Sequence, residues 1–128
     1  MENNSYKIKT DELSKEWIEA YTNEESNDVD LHWAIEYVIE LAYKSNYDEL
    51  WKFIKHTYQQ DILQKIISIL AAGPMEDLLL KAGEQYIDDI KELARKYPKF
   101  NYLLGGVWQN YISADVWMRV LKARNEAW

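Results

Sequence analysis

The stretch Asp61–Leu80, DILQKIISILAAGPMEDLLL, shows most clearly what kind of fold this chain adopts. Its apolar residues recur every three or four positions, the spacing that places side chains on one face of an α-helix. Gly73 and Pro74 interrupt the repeat, which then resumes. Because glycine often follows a helix and proline suits a first helical position, the pair predicts one helix ending at a left-handed Gly73 and another beginning at Pro74.

Helical spacing continues on both sides of this stretch, and only two prolines and four glycines punctuate the 128 residues. We therefore predict an all-α fold of seven or eight short antiparallel helices. They would form either a stack of helical hairpins of the HEAT or armadillo kind or an irregular bundle. Residues 10–128 are predicted to be a single helical domain, and residues 1–9 a disordered or extended tail.

Several residues mark where individual helices should begin, bend or end. Ser113 and Asn46 are typical of residues that cap a helix N-terminus with the side chain. Gly83 is expected to break or bend a helix. The pair Gly105-Gly106 lies inside an apolar pattern that runs over residues 100–111, and each interior glycine costs a helix about 1 kcal/mol relative to alanine. Either another backbone approaches closely there or the helix is deliberately broken.

The composition excludes several classes of protein. The chain has no cysteine, so disulfides, thiolate metal sites and cysteine nucleophiles are all ruled out. Its first residues lack the apolar core of a signal peptide, and no apolar run approaches the roughly 18 residues that span a bilayer. We expect a cytoplasmic protein that is not embedded in a membrane.

The charge is unevenly distributed along the chain. The formal net charge is −7, with 13 acids and 4 bases in residues 1–50 against 9 acids and 11 bases in residues 51–128. An acidic chain is a poor partner for nucleic acid, because phosphate binding draws on clustered lysine and arginine. The acidity of the first 50 residues instead favours a basic partner.

The sequence contains little that indicates catalysis. There is no phosphate-binding or dinucleotide-binding glycine motif and no HExxH zinc motif, and His32 and His56 each lack a second histidine at helical spacing. We expect structural roles for both histidines, and no cofactor or metal. The alternative is a metal-dependent hydrolase that uses Glu76, Asp77 and Asp88, which would require Glu76 or Asp77 to meet acids from another helix.

Three segments carry a resemblance to a known family. They are LAAGPMEDLL at 70–79, GEQYIDDI at 83–90, and a C-terminal part that contains Trp108 and Trp117. Over about residues 62–120 they resemble an uncharacterised family of small bacterial domains. The resemblance implies a bacterial, all-helical domain, and it brings no activity or catalytic residue with it.

The aromatic content suggests a function in binding. Six tryptophans and ten tyrosines exceed what a core of this size needs, and these residue types anchor protein interfaces. Our hypothesis is a protein-binding module, most specifically a bacterial immunity protein that neutralises a basic, nuclease-type toxin, and not an enzyme. The predicted partner-binding residues are the acidic and aromatic ones near the front of the chain: Glu24, Glu25, Asp28, Asp30, Trp33, Glu36, Tyr37 and Glu40. A homo-oligomeric scaffold or a regulatory helical domain remains the alternative without catalysis.

Overall fold

The computed structural model describes residues 8–23 and 32–128, which contain seven α-helices and no strand. The helices are α1 (Thr10–Thr22), α2 (Trp33–Tyr43), α3 (Tyr47–Tyr58), α4 (Gln64–Leu70), α5 (Glu76–Lys96), α6 (Pro98–Leu104) and α7 (Ala114–Ala123). In these ranges no helix has the length and apolar character needed to cross a membrane. The all-α prediction is confirmed.

The helices pack around α5. Helices α1, α2 and α3 contact one another, α6 and α7 lie against α5, and α5 also contacts α2 and α3. In a stack of hairpins each pair would contact only its neighbours. Because α5 contacts helices from both ends of the chain, the architecture is the irregular bundle. Its buried apolar residues form one cluster that extends from Leu13 to Val120.

The turn between α4 and α5 differs from the sequence prediction. None of the described glycines has a positive φ, so Gly73 does not end a helix in the left-handed conformation. The helix instead continues through a π-helical turn, Ala71–Met75, with Pro74 inside it. In an α-helix a proline ring clashes with the carbonyl four residues earlier. The wider π turn relieves that clash, so the chain passes the proline without a break.

Of the two predicted side-chain caps, one forms. The Ser113 hydroxyl accepts a hydrogen bond from the Val116 amide at 3.3 Å, which confirms it as the N-cap of α7. Helix α3 begins after Asn46 as expected, but the Asn46 side chain makes no capping hydrogen bond, so that prediction is wrong. The first turn of α3 carries Asp48 and Glu49, whose negative charge suits a helix N-terminus without a side-chain cap.

The predicted bend near Gly83 is present one residue earlier. Ala82 has φ −140° and ψ 25°, which kinks α5. At Gly83 a Cβ atom would lie 2.8 Å from a methyl group of Val116. The missing side chain therefore lets α7 lie directly against the kinked part of α5.

The helical pattern ends at Gly105, although the apolar spacing continued to Tyr111. Helix α6 stops at Leu104, and residues 105–113 form an irregular loop that leads to α7. The apolar spacing wrongly predicted a helix through Tyr111. Val107 is buried, as it would be on the apolar side of a helix, but Tyr111 is exposed.

The two glycines after α6 form a cradle for the C-terminal residue. A Cβ atom on Gly105 would lie 2.3 Å from the Glu126 carbonyl oxygen, and one on Gly106 would lie 2.5 Å from the Trp128 ring. The Trp128 amide donates to the Gly105 carbonyl at 2.9 Å, and its indole nitrogen donates to the Tyr102 carbonyl at 2.6 Å. The predicted close approach of another backbone is thus what the glycine pair accommodates.

A buried asparagine ties this C-terminal segment to the bundle. The Asn101 amide nitrogen donates to the carbonyls of Ala94 and Ala123 at 3.3 and 3.0 Å. Its side-chain oxygen accepts from the Asn125 amide at 2.8 Å. One side chain thereby satisfies backbone groups of α5, of α7 and of the C-terminal segment.

Candidate interaction surface

Helix α2 has one buried and one exposed side. Its buried residues are Ala34, Ile35, Val38, Leu41 and Ala42. Trp33, Glu36, Tyr37 and Glu40 recur at the spacing of a single helix face, and all but the half-buried Tyr37 are exposed. The structure therefore places these four predicted residues side by side on the solvent side of α2.

Two further exposed residues on α2 escaped the sequence prediction. Ile39 is exposed, and Tyr43 is 79% exposed. We refer to Trp33, Glu36, Tyr37, Ile39, Glu40 and Tyr43 as the α2 outer face. Ile39 lies two positions before the buried Leu41, about 200° around the helix, and that spacing could have placed it outside.

A histidine orients the beginning of this face. His32 is the N-cap of α2, and its Nδ1 atom accepts a hydrogen bond from the Ala34 amide at 3.1 Å. The His32 ring also stacks on the Trp33 ring, with 6.0 Å between centroids. The expected structural role of His32 is therefore a specific one, because it caps the helix and supports an exposed tryptophan.

The surroundings of the α2 outer face are acidic. Helix α1 packs beside α2, and the two helices together contain one base, Lys15, and six acids: Asp11, Glu12, Glu16, Glu19, Glu36 and Glu40. Glu40 pairs with Lys44 at 3.0 Å, but both side chains are more than half exposed, so the pair contributes little to stability. By contrast, residues 97–128 contain four bases and two acids. Within the described residues, the acidity of the first part of the chain is thus concentrated on the two neighbouring helices α1 and α2.

The other four predicted binding residues, Glu24, Glu25, Asp28 and Asp30, lie outside the residues that the structure describes. Their prediction stands as it was made from the sequence.

Glu76 has a role that the sequence did not reveal. One of its carboxylate oxygens accepts a hydrogen bond from the Trp108 amide at 3.0 Å, and the other accepts from the Asn110 side chain at 2.8 Å. Both bonds hold the loop 105–113 against the start of α5. Within residues 8–23 and 32–128 no three histidine or acidic side chains lie close enough together to hold a metal ion.

Asp77 and Asp88, the remaining acids of the metal hypothesis, do not form a ligand cluster with Glu76 in the described part of the chain. Burial raises the pKa of Asp77, the ammonium of Lys81 lowers it and the nearby Glu76 carboxylate raises it. Asp88 lies about three helical turns further along α5 and is exposed. The arrangement places these acids along one helix rather than around one point.

The loop 105–113 exposes two aromatic residues that the sequence analysis had assigned to a helix stripe. Trp108 is 67% exposed and Tyr111 is 89% exposed. Had Gly105 and Gly106 been interpreted as a helix end, both aromatics would have been predicted to lie in a loop.

Residues 21–128 match DUF6869, a family of unknown function, and the chain belongs to that family. No curated protein and no solved structure matches the chain. The family match confirms the resemblance to an uncharacterised domain family and adds no activity to it.

Proposed function

We propose that this DUF6869 member is a protein-binding module, specifically a bacterial immunity protein that neutralises a basic, nuclease-type toxin by covering it in the cytoplasm. The observation that carries the proposal is the α2 outer face. Trp33, Ile39 and Tyr43 are exposed there beside Glu36 and Glu40. Large apolar side chains flanked by acids, on a helix anchored by its opposite side, suit a basic protein partner.

Charge and shape would serve different stages of such binding. The acids of α1 and α2 attract a basic protein from a distance and speed its association. The rings of Trp33 and Tyr43 then provide contact area at a low cost in conformational entropy. A nuclease domain carries basic residues because it binds phosphates, so its active-site surface is complementary to the α2 outer face.

The alternative to a different protein partner is a homo-oligomer that forms through the same face. A two-fold dimer built on α2 would bring Glu36 and Glu40 of both copies together. Like charges at a desolvated interface oppose association. The charge pattern therefore favours a basic partner over a second copy of the chain.

The test is a calorimetric titration with the purified product of the adjoining gene, followed by a nuclease assay of that protein with and without this chain. We expect a basic toxin that binds and loses its nuclease activity when bound. An adjoining product that fails to bind, or that binds without loss of toxicity, would overturn the proposal.

Two matched double variants locate the surface. Glu36→Gln with Glu40→Gln removes charge from the α2 outer face while keeping its shape, and we expect about tenfold weaker binding with a smaller salt dependence. Asp88→Asn with Glu92→Gln makes the same charge change at the same spacing, on exposed residues in the C-terminal half of α5, and serves as the control. Equal effects of the two doubles would count against α2 as the binding site.

A further inference from the structure

We infer that the basic partner covers more than α2, and that its docking surface crosses the N-terminal half of α5 to the loop 105–113, where Trp108 is a second aromatic anchor. This inference rests on the proposed function. It assigns an interaction role to a loop that lies far from α2 in the sequence and that was not among the predicted binding residues.

A chain of contacts connects the two aromatic regions. The ammonium of Lys81 lies 5.8 Å from the centroid of the Tyr43 ring, which joins the end of α2 to α5. Leu80, beside Lys81, is exposed and lies four residues after Glu76, on the same side of α5. Glu76 in turn holds the backbone of Trp108. Exposed apolar side chains thus occur at the end of α2, on α5 and in the loop, and Lys81 and Glu76 connect these three segments.

The loop is held in place although its tryptophan is exposed. The Glu76 carboxylate binds both the Trp108 amide and the Asn110 side chain. Asn110 adopts the left-handed conformation, φ 46°, that asparagine tolerates better than most residues. Ile112 is buried and anchors the far end of the loop before Ser113 caps α7.

A fixed, exposed tryptophan is suited to binding. Leaving two-thirds of an indole in water gives up hydrophobic stabilisation that burial would supply. Holding its backbone in advance reduces the entropy lost when a partner covers the ring. Tryptophans placed in this way are over-represented among the residues that dominate interface energies.

The charges along this path favour the same partner as α2. Asp77 and Glu84 flank Lys81 on α5, and the Glu76 carboxylate lies at the start of the same helix. The N-terminal half of α5 therefore continues the acidic character of the α2 outer face. A basic protein could contact both regions, because three acids outnumber the single base, Lys81, in this half of α5.

The first experiment titrates the adjoining gene product into the full chain carrying Trp108→Ala. We expect at least about a tenfold loss of affinity, in the range of interface anchors. Met118→Ala is the matched control, because Met118 is a large exposed apolar residue on α7, outside the path. The affinity of the Met118→Ala variant for the same partner should stay within about twofold of the affinity of the parent chain. Equal affinities of the two variants would overturn the inference.

The second experiment tests Glu76 as a positioning residue. Glu76→Ala removes both accepting oxygens, so the variant can hold neither the Trp108 amide nor the Asn110 side chain. We expect faster hydrogen exchange of the Trp108 amide in the free protein and a loss of affinity with Trp108 still present. Unchanged exchange at Trp108 would refute the positioning role.

The outcomes separate this inference from the proposed function. If the Glu36 and Glu40 double weakens binding and Trp108→Ala does not, the α2 site stands and the larger surface is rejected. If the adjoining gene product does not bind the parent chain at all, both are rejected.

Discussion

Trp33 and Trp128 are almost equally exposed, at 43% and 39%, yet their surroundings differ completely. Trp128 stacks on Tyr102 with 4.9 Å between centroids, donates its indole hydrogen to a carbonyl, and lies on two glycines. In the described part of the chain, Trp33 has only its ring contact with His32 and no side-chain hydrogen bond. Partners, rather than exposure, distinguish an aromatic that closes the fold from one that is available to another molecule.

The difference assigns the two regions opposite properties. The C-terminal segment around Trp128 should contribute mainly to stability, since Trp128 satisfies the backbone carbonyls of Tyr102 and Gly105. The α2 outer face should contribute mainly to binding, since removing its side chains leaves few internal contacts broken. Four stability measurements test that contrast.

Asn101→Asp should cause the largest loss of folding stability, through its effect on the C-terminal region. A carboxylate at this position could still accept from the Asn125 amide, but it could not donate to the carbonyls of Ala94 and Ala123. Burying a charge against two carbonyl oxygens should cost about 3 to 5 kcal/mol at neutral pH. Urea denaturation measures the loss. Asn46→Asp, at an exposed position without a capping bond, is the control and should change stability by less than about 0.5 kcal/mol.

Gly105→Ala should have the second-largest effect, a decrease of about 2 to 3 kcal/mol in the free energy of unfolding. Its methyl group would collide with the Glu126 carbonyl and push Trp128 out of its cradle. Gly73→Ala is the matched control, because a Cβ atom at Gly73 meets nothing within 4 Å. Alanine is the better helix former, so that variant should gain about 0.5 to 1 kcal/mol. Losses of similar size in both variants would disprove the cradle.

Trp128→Ala and Trp33→Ala compare the two tryptophans directly. Replacing Trp128 removes the buried part of its ring and one side-chain hydrogen bond. We therefore expect the free energy of unfolding to fall by about 2 kcal/mol. Removing Trp33 should cost less than about 1 kcal/mol, since alanine has the higher helix propensity. Chemical denaturation of both variants at one pH provides the comparison. Equal losses of stability in the two variants would contradict the assignment of Trp128 to stability and of Trp33 to binding.

The smallest effect is expected at Asp77, which lies on α5 between the two regions. Because burial raises its pKa in the folded state, Asp77 contributes stability that is complete below its unfolded pKa of 3.8 and lost as the pH rises through the folded value. Ionised Asp77 therefore costs stability at neutral pH. Asp77→Asn should gain less than about 1 kcal/mol at pH 7 and nothing at pH 3.

Urea midpoints at the two pH values measure this difference. Asp88→Asn, on the exposed side of the same helix, is the reference. A gain for Asp77→Asn that persisted at pH 3 would show that something other than ionisation is responsible.

Local sequence signals predicted what depends on local chemistry. The apolar spacing predicted the helices of the bundle. Ser113 predicted the start of α7, because a side-chain cap involves only a backbone amide two or three positions further along the chain. Trp33, Glu36, Tyr37 and Glu40 were chosen as acidic and aromatic residues, and they share one side of α2 because of their spacing; their role in binding stays a prediction.

What the sequence could not supply were contacts between distant segments. Glu76 was considered as a metal ligand, yet its partners lie more than 30 residues away in the loop 105–113. The glycines 105–106 were suspected of a close approach, but only the folded chain shows that Trp128 fills the space. The exposed Trp108 was missed because its spacing fits a helix that the glycines end.

The π-helical turn at Ala71–Met75 has a consequence for how the chain can vary in length. A π turn takes up one residue more than the α turn that would join the same ends. The helices on either side therefore need not rotate if one residue is lost there, whereas a deletion within α5 would turn everything beyond it by about 100°. Deletions should thus be accepted at Ala72 before any other position between Gln64 and Lys96, provided that Pro74 is replaced by alanine in the same variant.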